Sequence, residues 1–426
     1  MTTTEHRSTT TAVRSSLLLP RVGQIQVLHA KPLRERSSGN LLTTGSNQLR
    51  VRDHNQLLVL QAIRVQGPLT RRALAQTTGL TFQTVENISK RLIDAGIVQD
   101  VPPTDQPGRS RHLSLRPAGA HAIGIAFTAS GCEVALCDFG GRTVACEQLR
   151  IDDRTDPVDV LGWLSRAVPD LVDDAGVPVG TVLGAGVVCS PTPDEHDRSL
   201  RWPGRADIAE QLRLPTVTSS VVLAAVCGEQ WTRHLTSRDA VYVHLGAAIG
   251  GAIVSNGQLG TGATGGSGDI AHLSALPNGP LCSCGRRGCL DTLISETRLR
   301  DTARHAAGSA EPPSVAAIAE LALTDPAIAA VVQQAAVHLV HALIPAVQLL
   351  DPEVIVLGGP TADALGENFR ARISDLLATA HGPVPIVELA RPFAGQAASA
   401  ATLVLQQVFT PTVDHLLLGQ RAACPA

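Results

Sequence analysis

Residues 272–289 read H-L-S-A-L-P-N-G-P-L-C-S-C-G-R-R-G-C, and this stretch decides how the middle of the chain folds. Cys282, Cys284 and Cys289 fall within eight residues, and His272 precedes the first of them by ten. Four such donors match the tetrahedral coordination sphere of one Zn²⁺ ion. A sphere closed by four protein ligands leaves no position for water, so the predicted site is structural. Two alternatives remain open, namely disulfide pairing among these cysteines and chance clustering.

The composition is that of a globular protein with more than one domain. The chain has 426 residues, of which 44% are hydrophobic and only 2% aromatic, so it is too long for a single core and must build its cores from aliphatic side chains. The other six cysteines are scattered, as expected of reduced thiols in the cytoplasm. The N-terminus lacks the apolar segment of a signal peptide. The apolar run 327–350 is interrupted by polar residues and by Pro345, which predicts a buried helix. We therefore expect a cytoplasmic protein with no membrane partner.

Charge is distributed unevenly along the chain. Residues 1–49 carry a net charge of +4, residues 50–120 carry +5, and the remainder carries about −12. This split predicts a polyanion-binding head on an acidic body, although a modest excess of arginine is also compatible with an ordinary solvated surface. Residues 1–47 are rich in Thr, Ser and Arg without any periodicity, and we predict that they form a disordered tail.

Residues 48–117 have the pattern of a winged helix-turn-helix domain. Thr70 and Thr81 stand where the N-caps of two short helices are expected, and Gly79 and Gly96 close those helices. Apolar residues recur at helical spacing along the second of them. Two helices joined by a tight turn form the arrangement whose second helix enters the major groove of DNA.

The polar face of that second helix and the wing after it supply the predicted DNA contacts. Gln83 and Asn87 lie one helical turn apart, and their amides can pair with N6 and N7 of adenine. Arginines at the wing tip suit phosphate contacts or insertion into a narrow minor groove. Each single position is equally compatible with a solvated polar residue. The predicted DNA-binding residues are Arg71, Arg72, Thr81, Gln83, Thr84, Asn87, Lys90, Arg91, Arg109 and Arg111.

Beyond residue 117 the pattern changes to strands mixed with helices. Three strand-like runs between residues 122 and 147 predict an antiparallel meander, and a helix at 157–174 and a strand at 182–188 follow. The alternation resumes at residue 240. Two such sets imply an α/β body of two lobes.

Taken together, these features resemble the ROK family (repressors, open reading frames and sugar kinases), and specifically its regulator branch. The resemblance covers about residues 50–410. It rests on the motif C-x-C-G-x-x-G-C with His272 upstream, on the loop G-A-T-G-G-S-G-D-I-A-H at 262–272, and on the winged helix-turn-helix ahead of the body. It implies that residues 118–426 form an actin-like domain, a duplicated RNase H-like fold, with lobes at about 118–235 and 236–410 and a structural Zn²⁺ held by His272, Cys282, Cys284 and Cys289.

The resemblance also indicates that sugar kinase activity is lost. In kinase members the first strand continues into a D-x-G-G-T phosphate loop, whereas this sequence reads A-F-T-A-S-G at 126–131. The family's catalytic aspartate aligns with Ser220, and a serine with no nearby proton acceptor cannot act as a general base. The second phosphate loop reads G-A-A-I-G at 246–250 in place of G-T-G-I-G. We therefore expect no enzyme activity and no catalytic residue.

The effector site implied by the resemblance has altered chemistry. Family members hold sugar hydroxyls with residues that correspond here to Ser219, Ser220, Asp269, His272 and Asp291. Compared with the family, this set has lost an amide and a carboxylate, and its two remaining acids are each shorter by one methylene. Such a pocket could take a larger or different ligand, or none. Asp269 and Asp291 are equally well interpreted as supports of the zinc loop.

The sequence thus predicts a DNA-binding transcriptional regulator, a repressor, whose ROK domain dimerises and senses a sugar or another small molecule. A symmetric homodimer, or a dimer of dimers, would bind a double-stranded operator made of two half-sites. Two alternatives remain. One is a ROK sugar kinase with an accessory head, and the other is an effector-independent regulator that uses the ROK domain only as a scaffold.

Overall fold

The structure, a computed structural model, describes residues 48–408 apart from 103–110, 129–130, 151–154, 190–204, 234–238, 261, 264–265, 382–384 and 391–394. The tail predicted at residues 1–47 lies outside the described residues, and so does Arg109 at the predicted wing tip.

The first unit of structure is a three-helix domain closed by a small antiparallel sheet. Its elements, in chain order, are α1 (Gln48–Gln66), β1 (Leu69–Thr70), α2 (Arg71–Thr78), α3 (Phe82–Asp94), β2 (Val98–Val101) and β3 (His112–Leu115). The sheet order is β1-β3-β2. The winged helix-turn-helix predicted from the sequence is therefore present, and we call this unit the head.

Local sequence signals set the ends of α2 and α3. The Thr70 hydroxyl accepts a hydrogen bond of 3.1 Å from the backbone N–H of Ala73. The Thr81 hydroxyl accepts one of 3.2 Å from the backbone N–H of Thr84. Each bond satisfies a donor that the start of a helix leaves open. Gly79 closes α2 with a φ of 70°, a conformation that glycine adopts without strain. Both predicted N-caps are confirmed.

The first sheet of the body has the order β6-β5-β4-β7-β8. Its first three strands form the predicted antiparallel meander, and the last two are added in parallel. The strands are β4 (His121–Thr128), β5 (Gly131–Asp138), β6 (Thr143–Arg150), β7 (Val182–Cys189) and β8 (Thr216–Ser220).

The second sheet repeats this plan, with three antiparallel strands followed by two parallel ones, in the order β11-β10-β9-β12-β13. Its strands are β9 (Ala240–His244), β10 (Gly250–Ser255), β11 (Gln258–Gly260), β12 (Val354–Gly358) and β13 (Ile386–Leu389). Two sheets with the same strand plan make a duplicated fold, so the predicted actin-like architecture of two lobes is confirmed.

Helices cover both sheets. One face of the first sheet packs on α4 (Pro157–Asp174), whose predicted bounds are confirmed. The remaining helices are α5 (Arg205–Leu212), α6 (Val221–Arg233), α7 (Asp291–Ile294), α8 (Glu296–Ala307), α9 (Val315–Leu321), α10 (Pro326–Leu350), α11 (Pro360–His381) and α12 (Gln396–Gln407).

The helix α12 corrects the predicted lobe boundary. The sequence placed residues 236–410 in the second lobe, but α12 packs on β4, β7 and α6 of the first lobe. Every residue from Ala397 to Leu405 is buried there. The close approach depends on Gly124 in β4 and Gly186 in β7, because a side chain at either position would collide with the α12 backbone. The surface that receives α12 is thus assembled from glycines far away in sequence.

The apolar helix α10 belongs to the core of the second lobe. By length and composition it could cross a membrane, and within the described residues it is the one helix that passes that test. Eight of its residues are nonetheless buried, among them Leu339, Leu343 and Val347, and they share a core cluster with Ile355 and Leu357 of β12. The burial agrees with the prediction of a core helix.

Candidate DNA-binding surface, metal centre and effector loop

The recognition helix α3 separates apolar and polar faces. Its inner side buries Val85, Ile88 and Leu92 against the rest of the head. Its outer side exposes Gln83 and Asn87. The Gln83 side-chain amide donates a hydrogen bond of 3.4 Å to the side-chain oxygen Oδ1 of Asn87, which holds the two amides side by side. A donor and an acceptor pair of this kind suits the edge of an adenine in the major groove.

Arg71, a predicted DNA contact, forms ion pairs with two acidic residues of the head. Its guanidinium lies 3.0 Å from Glu86 of α3 and 2.9 Å from Asp100 of β2, and the side chain is 20% exposed. These contacts connect α2 to both the recognition helix and the wing. The structure therefore gives Arg71 a positioning role.

The other predicted DNA-binding residues of the described head fall into two groups. Arg72, Lys90 and Arg111 are exposed with Gln83 and Asn87, and Arg91 is half-buried. Thr81 and Thr84 join their hydroxyls at 2.8 Å at the start of α3, so both take part in the helix cap. One exposed apolar residue of α3 was given no role from the sequence, because apolar residues are ordinarily assigned to the core. This residue is Phe82, which is 55% exposed.

The four predicted metal ligands converge at one point. One ligand atom from each of His272, Cys282, Cys284 and Cys289 lies within 4.8 Å of all the others. The Cys282 sulfur is 3.5 Å from His272 Nδ1, and the Cys284 and Cys289 sulfurs are 3.5 Å apart. A tetrahedral zinc ion with metal–sulfur bonds of about 2.3 Å spaces its sulfurs about 3.8 Å apart, so the donor set fits such an ion. All three cysteines are free thiols, which leaves no disulfide within the cluster.

Two glycines bend the backbone around the cluster. Gly285 has a φ of 83° and Gly288 a φ of 65°, both in the left-handed region. A side chain at Gly288 would also collide with the backbone of Leu276. The thiols can therefore point inward only because these two positions lack side chains.

The thiols of the cluster differ in acidity. Hydrogen bonds from Arg286, first from its backbone N–H and then from its side chain, lower the pKa of Cys284 to about 6. Burial raises the pKa of Cys289. Metals bind cysteine as the thiolate, so binding of a cation by this cluster would release protons from its thiols.

Two consecutive residues, Ile249 and the first residue of β10, connect this cluster to the first lobe. The Asp291 carboxylate, two residues after Cys289, accepts a hydrogen bond of 3.0 Å from the backbone N–H of Ile249. A Cβ on the next residue, Gly250, would lie 2.5 Å from a methyl group of Val222 in α6. The glycine thus lets α6 rest against the loop that Asp291 holds.

The segment before His272 packs on the same strand. A Cβ on Gly251 would lie 2.5 Å from the Gly268 carbonyl oxygen, and Gly268 itself has a φ of 84°. Asp269 follows directly and is exposed. The glycine-rich loop is therefore folded against the start of β10.

The predicted effector residues have mixed surroundings. Asp291 is occupied by its bond to Ile249, as expected of a support for the loop. The Ser220 hydroxyl accepts a hydrogen bond of 3.2 Å from the backbone N–H of Leu223 and so caps α6. The Ser219 hydroxyl is buried and has no hydrogen-bond partner among the described residues. His272 belongs to the metal cluster.

Two buried polar side chains that the sequence did not single out lie behind the glycine-rich loop. His244, at the end of β9, is 8% exposed, and burial lowers its pKa to about 4. A Cβ on Gly246 or Gly359 would lie within 3.3 Å of its ring, so His244 fills the space between two glycine-containing loops. Thr361, also buried, follows the second loop. A strand-like run such as A-V-Y-V-H gives no signal for this role.

The C-terminal end of α6 contacts the head. Arg64 of α1 lies with its guanidinium 5.0 Å from the centroid of the Trp231 ring and donates a hydrogen bond of 3.3 Å to the Gln230 carbonyl oxygen. Arg64 is 9% exposed, and burial lowers its pKa to about 10, which leaves it cationic at neutral pH. The Gln230 side chain donates to the Gly257 carbonyl oxygen of the second lobe at 3.1 Å. The head, α6 and the second lobe therefore meet at two adjacent residues.

Comparisons with known proteins agree with this arrangement. The profile of the ROK family matches residues 122–406, and that of winged helix-turn-helix DNA-binding domains matches residues 52–99. The chain is 22% identical to the DNA-binding transcriptional dual regulator NagC of Escherichia coli (strain K12), over 74% of this chain and 82% of NagC. It is 26% identical to the xylose repressor of Bacillus subtilis (strain 168), over 60% of this chain and 69% of the repressor.

Solved structures and kinases complete the comparison. A ROK family transcriptional regulator, a homologue of the E. coli MLC protein, has the same fold, with a TM-score of 0.67, 22% identity, and coverage of 84% of this chain and 97% of that one. The N-acetylmannosamine kinase of Citrobacter koseri is 27% identical over 46% of this chain and 67% of the kinase. The similarity therefore extends to both regulators and enzymes.

Proposed function

The chain belongs to the ROK family, and on that premise we propose that it is a transcriptional regulator, a repressor, that binds a specific DNA sequence through its head. The observation that carries the proposal is the paired amides of Gln83 and Asn87 on the exposed face of the recognition helix. Regulators among its relatives carry this function in their names.

In this proposal the body is not an enzyme. Ser220, at the position of the kinase base, caps α6 through its hydroxyl and offers no carboxylate that could accept a proton. The lack of that carboxylate opposes the kinase alternative, which the similarity to kinases keeps in view.

The metal centre would hold a structural Zn²⁺ through His272, Cys282, Cys284 and Cys289. Four protein ligands complete the preferred sphere of zinc, so the ion would add stability and no reactive position. By fixing Cys289, it would fix Asp291 two residues later and, through the bond of Asp291 to Ile249, the start of β10.

A cytoplasmic homodimer, or a dimer of dimers, would place two heads on the half-sites of a palindromic operator. A sugar or another small molecule near Ser219, Ser220 and Asp269 would act on the N-terminal end of α6. Because the other end of α6 holds Arg64, a shift of this helix would change the position of the head.

The decisive experiment is an electrophoretic shift assay with DNA from upstream of the chain's own gene and with DNA selected from a random library. We expect the full-length protein to retain a selected sequence over random DNA, and the double variant Gln83→Ala, Asn87→Ala to lose that preference. Gln348→Ala, which alters an exposed amide on α10, is the matched control. No binding at low salt would contradict the proposal.

The scaffold alternative is tested by thermal shift with sugars and sugar phosphates. A rise in melting temperature with one of them supports sensing, whereas no response to any of them supports a regulator that works without an effector.

A further inference from the structure

We propose that Phe82 reads a thymine of the operator by contacting its 5-methyl group. The inference rests on the proposed function, because it assigns a further specificity contact to the same DNA-binding surface. Four phenylalanines of this chain lie within the described residues. Phe127, Phe139 and Phe369 are at most 2% exposed, whereas Phe82 is 55% exposed. Phe82 is the first residue of the recognition helix, so its exposed ring lies at the helix end that would approach the bases of DNA.

The start of α3 is fixed without Phe82. The entry of the chain into α3 is fixed by the Thr81 cap and by Leu80, the residue before the cap. Leu80 packs against the core cluster that contains Val85, which is the pair of positions used by a hydrophobic staple. Phe82, the first residue of the helix, contributes to neither feature. Its exposure is therefore not a by-product of capping.

The surroundings of Phe82 suit DNA. The ring borders an open groove of about 500 Å³ lined by Arg72, Ala75 and Gln76 of α2, and no acidic residue lines this groove. Gln83, the next residue along α3, carries one of the two paired amides. The ring thus lies between a cation suited to a phosphate and an amide suited to a base edge, at the helix end that approaches the bases.

The chemistry of the major groove supplies one apolar target. Among the four bases only thymine presents a methyl group there, and phenylalanine is one of the side chains that contact it. With Arg72 on a phosphate of the DNA backbone and Gln83 on a neighbouring base, the Phe82 ring would be held beside the methyl group of the thymine. A contact of this kind distinguishes thymine from cytosine without a hydrogen bond.

The test replaces thymine by uracil, which removes the methyl group alone. A consensus duplex is selected from random DNA with the full-length protein, and each thymine is then replaced singly by deoxyuridine. We expect that replacing one particular thymine in each half-site lowers the affinity of the protein for the duplex about 4-fold. This factor corresponds to the loss of one buried methyl group. Phe82→Ala should bind the thymine and uracil duplexes equally at that position and keep the wild-type response elsewhere. Leu349→Ala, which removes another exposed side chain, is the control and should keep the 4-fold difference.

Three DNA-binding results would overturn the inference. They are an unchanged preference for thymine in Phe82→Ala, an equal loss by this variant on consensus and random DNA, and the absence of any thymine position that responds to uracil. A change in oligomeric state without a thymine effect would assign the ring to a protein contact and would also overturn it. If the protein selects no consensus sequence, the proposed function itself is contradicted. That result is known before any uracil duplex is made. The melting temperature of Phe82→Ala checks that the head is folded.

Discussion

At the scale of single residues, the paired amides of α3 carry the sharpest prediction. Asn87→Ala removes one amide of the pair and should relax base preference at one position of each half-site by about 1–3 kcal/mol. Arg111→Ala should weaken binding to all sequences alike, because phosphate contacts carry no sequence information. Competition between consensus and random duplexes measures both effects. Equal losses on the two kinds of DNA for Asn87→Ala would refute its assignment.

His244 makes stability sensitive to acid. Its pKa is about 4 in the folded protein and about 6.5 when exposed, so the unfolded chain binds more protons between these values. The contribution of neutral His244 to the free energy of unfolding is fully present above pH 6.5. It is lost as the pH falls, and the loss is about 2 kcal/mol at pH 5.

His244→Gln should therefore reduce the loss in the free energy of unfolding between pH 7 and pH 5. Denaturant titrations at the two pH values measure that loss. His54→Gln, at an exposed position of α1, is the control and should keep the wild-type difference. If His244→Gln loses as much free energy of unfolding between pH 7 and pH 5 as the wild type does, His244 is not the source of the acid sensitivity.

The convergence of the four candidate metal ligands was predictable residue by residue, whereas the ion pairs of Arg71 were not. His272 and the three cysteines lie within 18 consecutive residues, so local spacing alone brings the donors together. Arg71 pairs with Asp100, which is 29 residues away and on the wing. The sequence of α2 alone does not reveal that partner, so Arg71 was predicted only as a DNA contact.

At the scale of elements, the metal centre should stabilise the body before the head. We expect chelation, or Cys284→Ser, to lower the melting temperature of the ROK domain and to leave binding of DNA by the head intact at low temperature. The reason is that the loss frees Asp291 and the start of β10, which belong to the second lobe of the body. Cys146→Ser changes an exposed thiol outside the cluster and serves as the control. An unchanged melting profile after complete removal of metal would count against this role.

Elements with local signals were predictable, and elements defined by distant packing were not. The ends of α2, α3 and α4 follow from caps and glycines inside the segment itself. The position of α12 depends on Gly124 and Gly186, more than 200 residues before it. An alanine-rich helix can pack on many surfaces, so the position of α12 is determined only by the assembled first sheet.

At the scale of the whole molecule, Arg64 connects the head to the body. The head and the first lobe share one hydrophobic cluster, which includes Ile63 of α1 and Trp231 of α6. A desolvated cation–π contact contributes about 2 kcal/mol, so Arg64→Ala should weaken the joint by about that amount. We expect the variant to melt in two transitions where the wild type melts in one.

Calorimetry of the full chain measures this prediction. Arg372→Ala, at an exposed position of α11, is the control and should melt as the wild type does. The intrinsic preference of the head for its consensus DNA should be unaffected by Arg64→Ala, because Arg64 lies in the interface with the body. A single transition at the wild-type temperature would mean that the contact with Trp231 does not join the two units.

The late position of α12 has a consequence for biosynthesis. The first sheet is complete in the nascent chain by residue 220, but the helix that covers its second face ends at Gln407. At an elongation rate of about 5–20 residues per second the ribosome needs on the order of ten to forty seconds to make the intervening segment. Throughout that interval the face around Gly124 and Gly186 lacks the helix that covers it in the folded protein. The first lobe can therefore be completed only after α12, the last helix in the described part of the chain, has been synthesised.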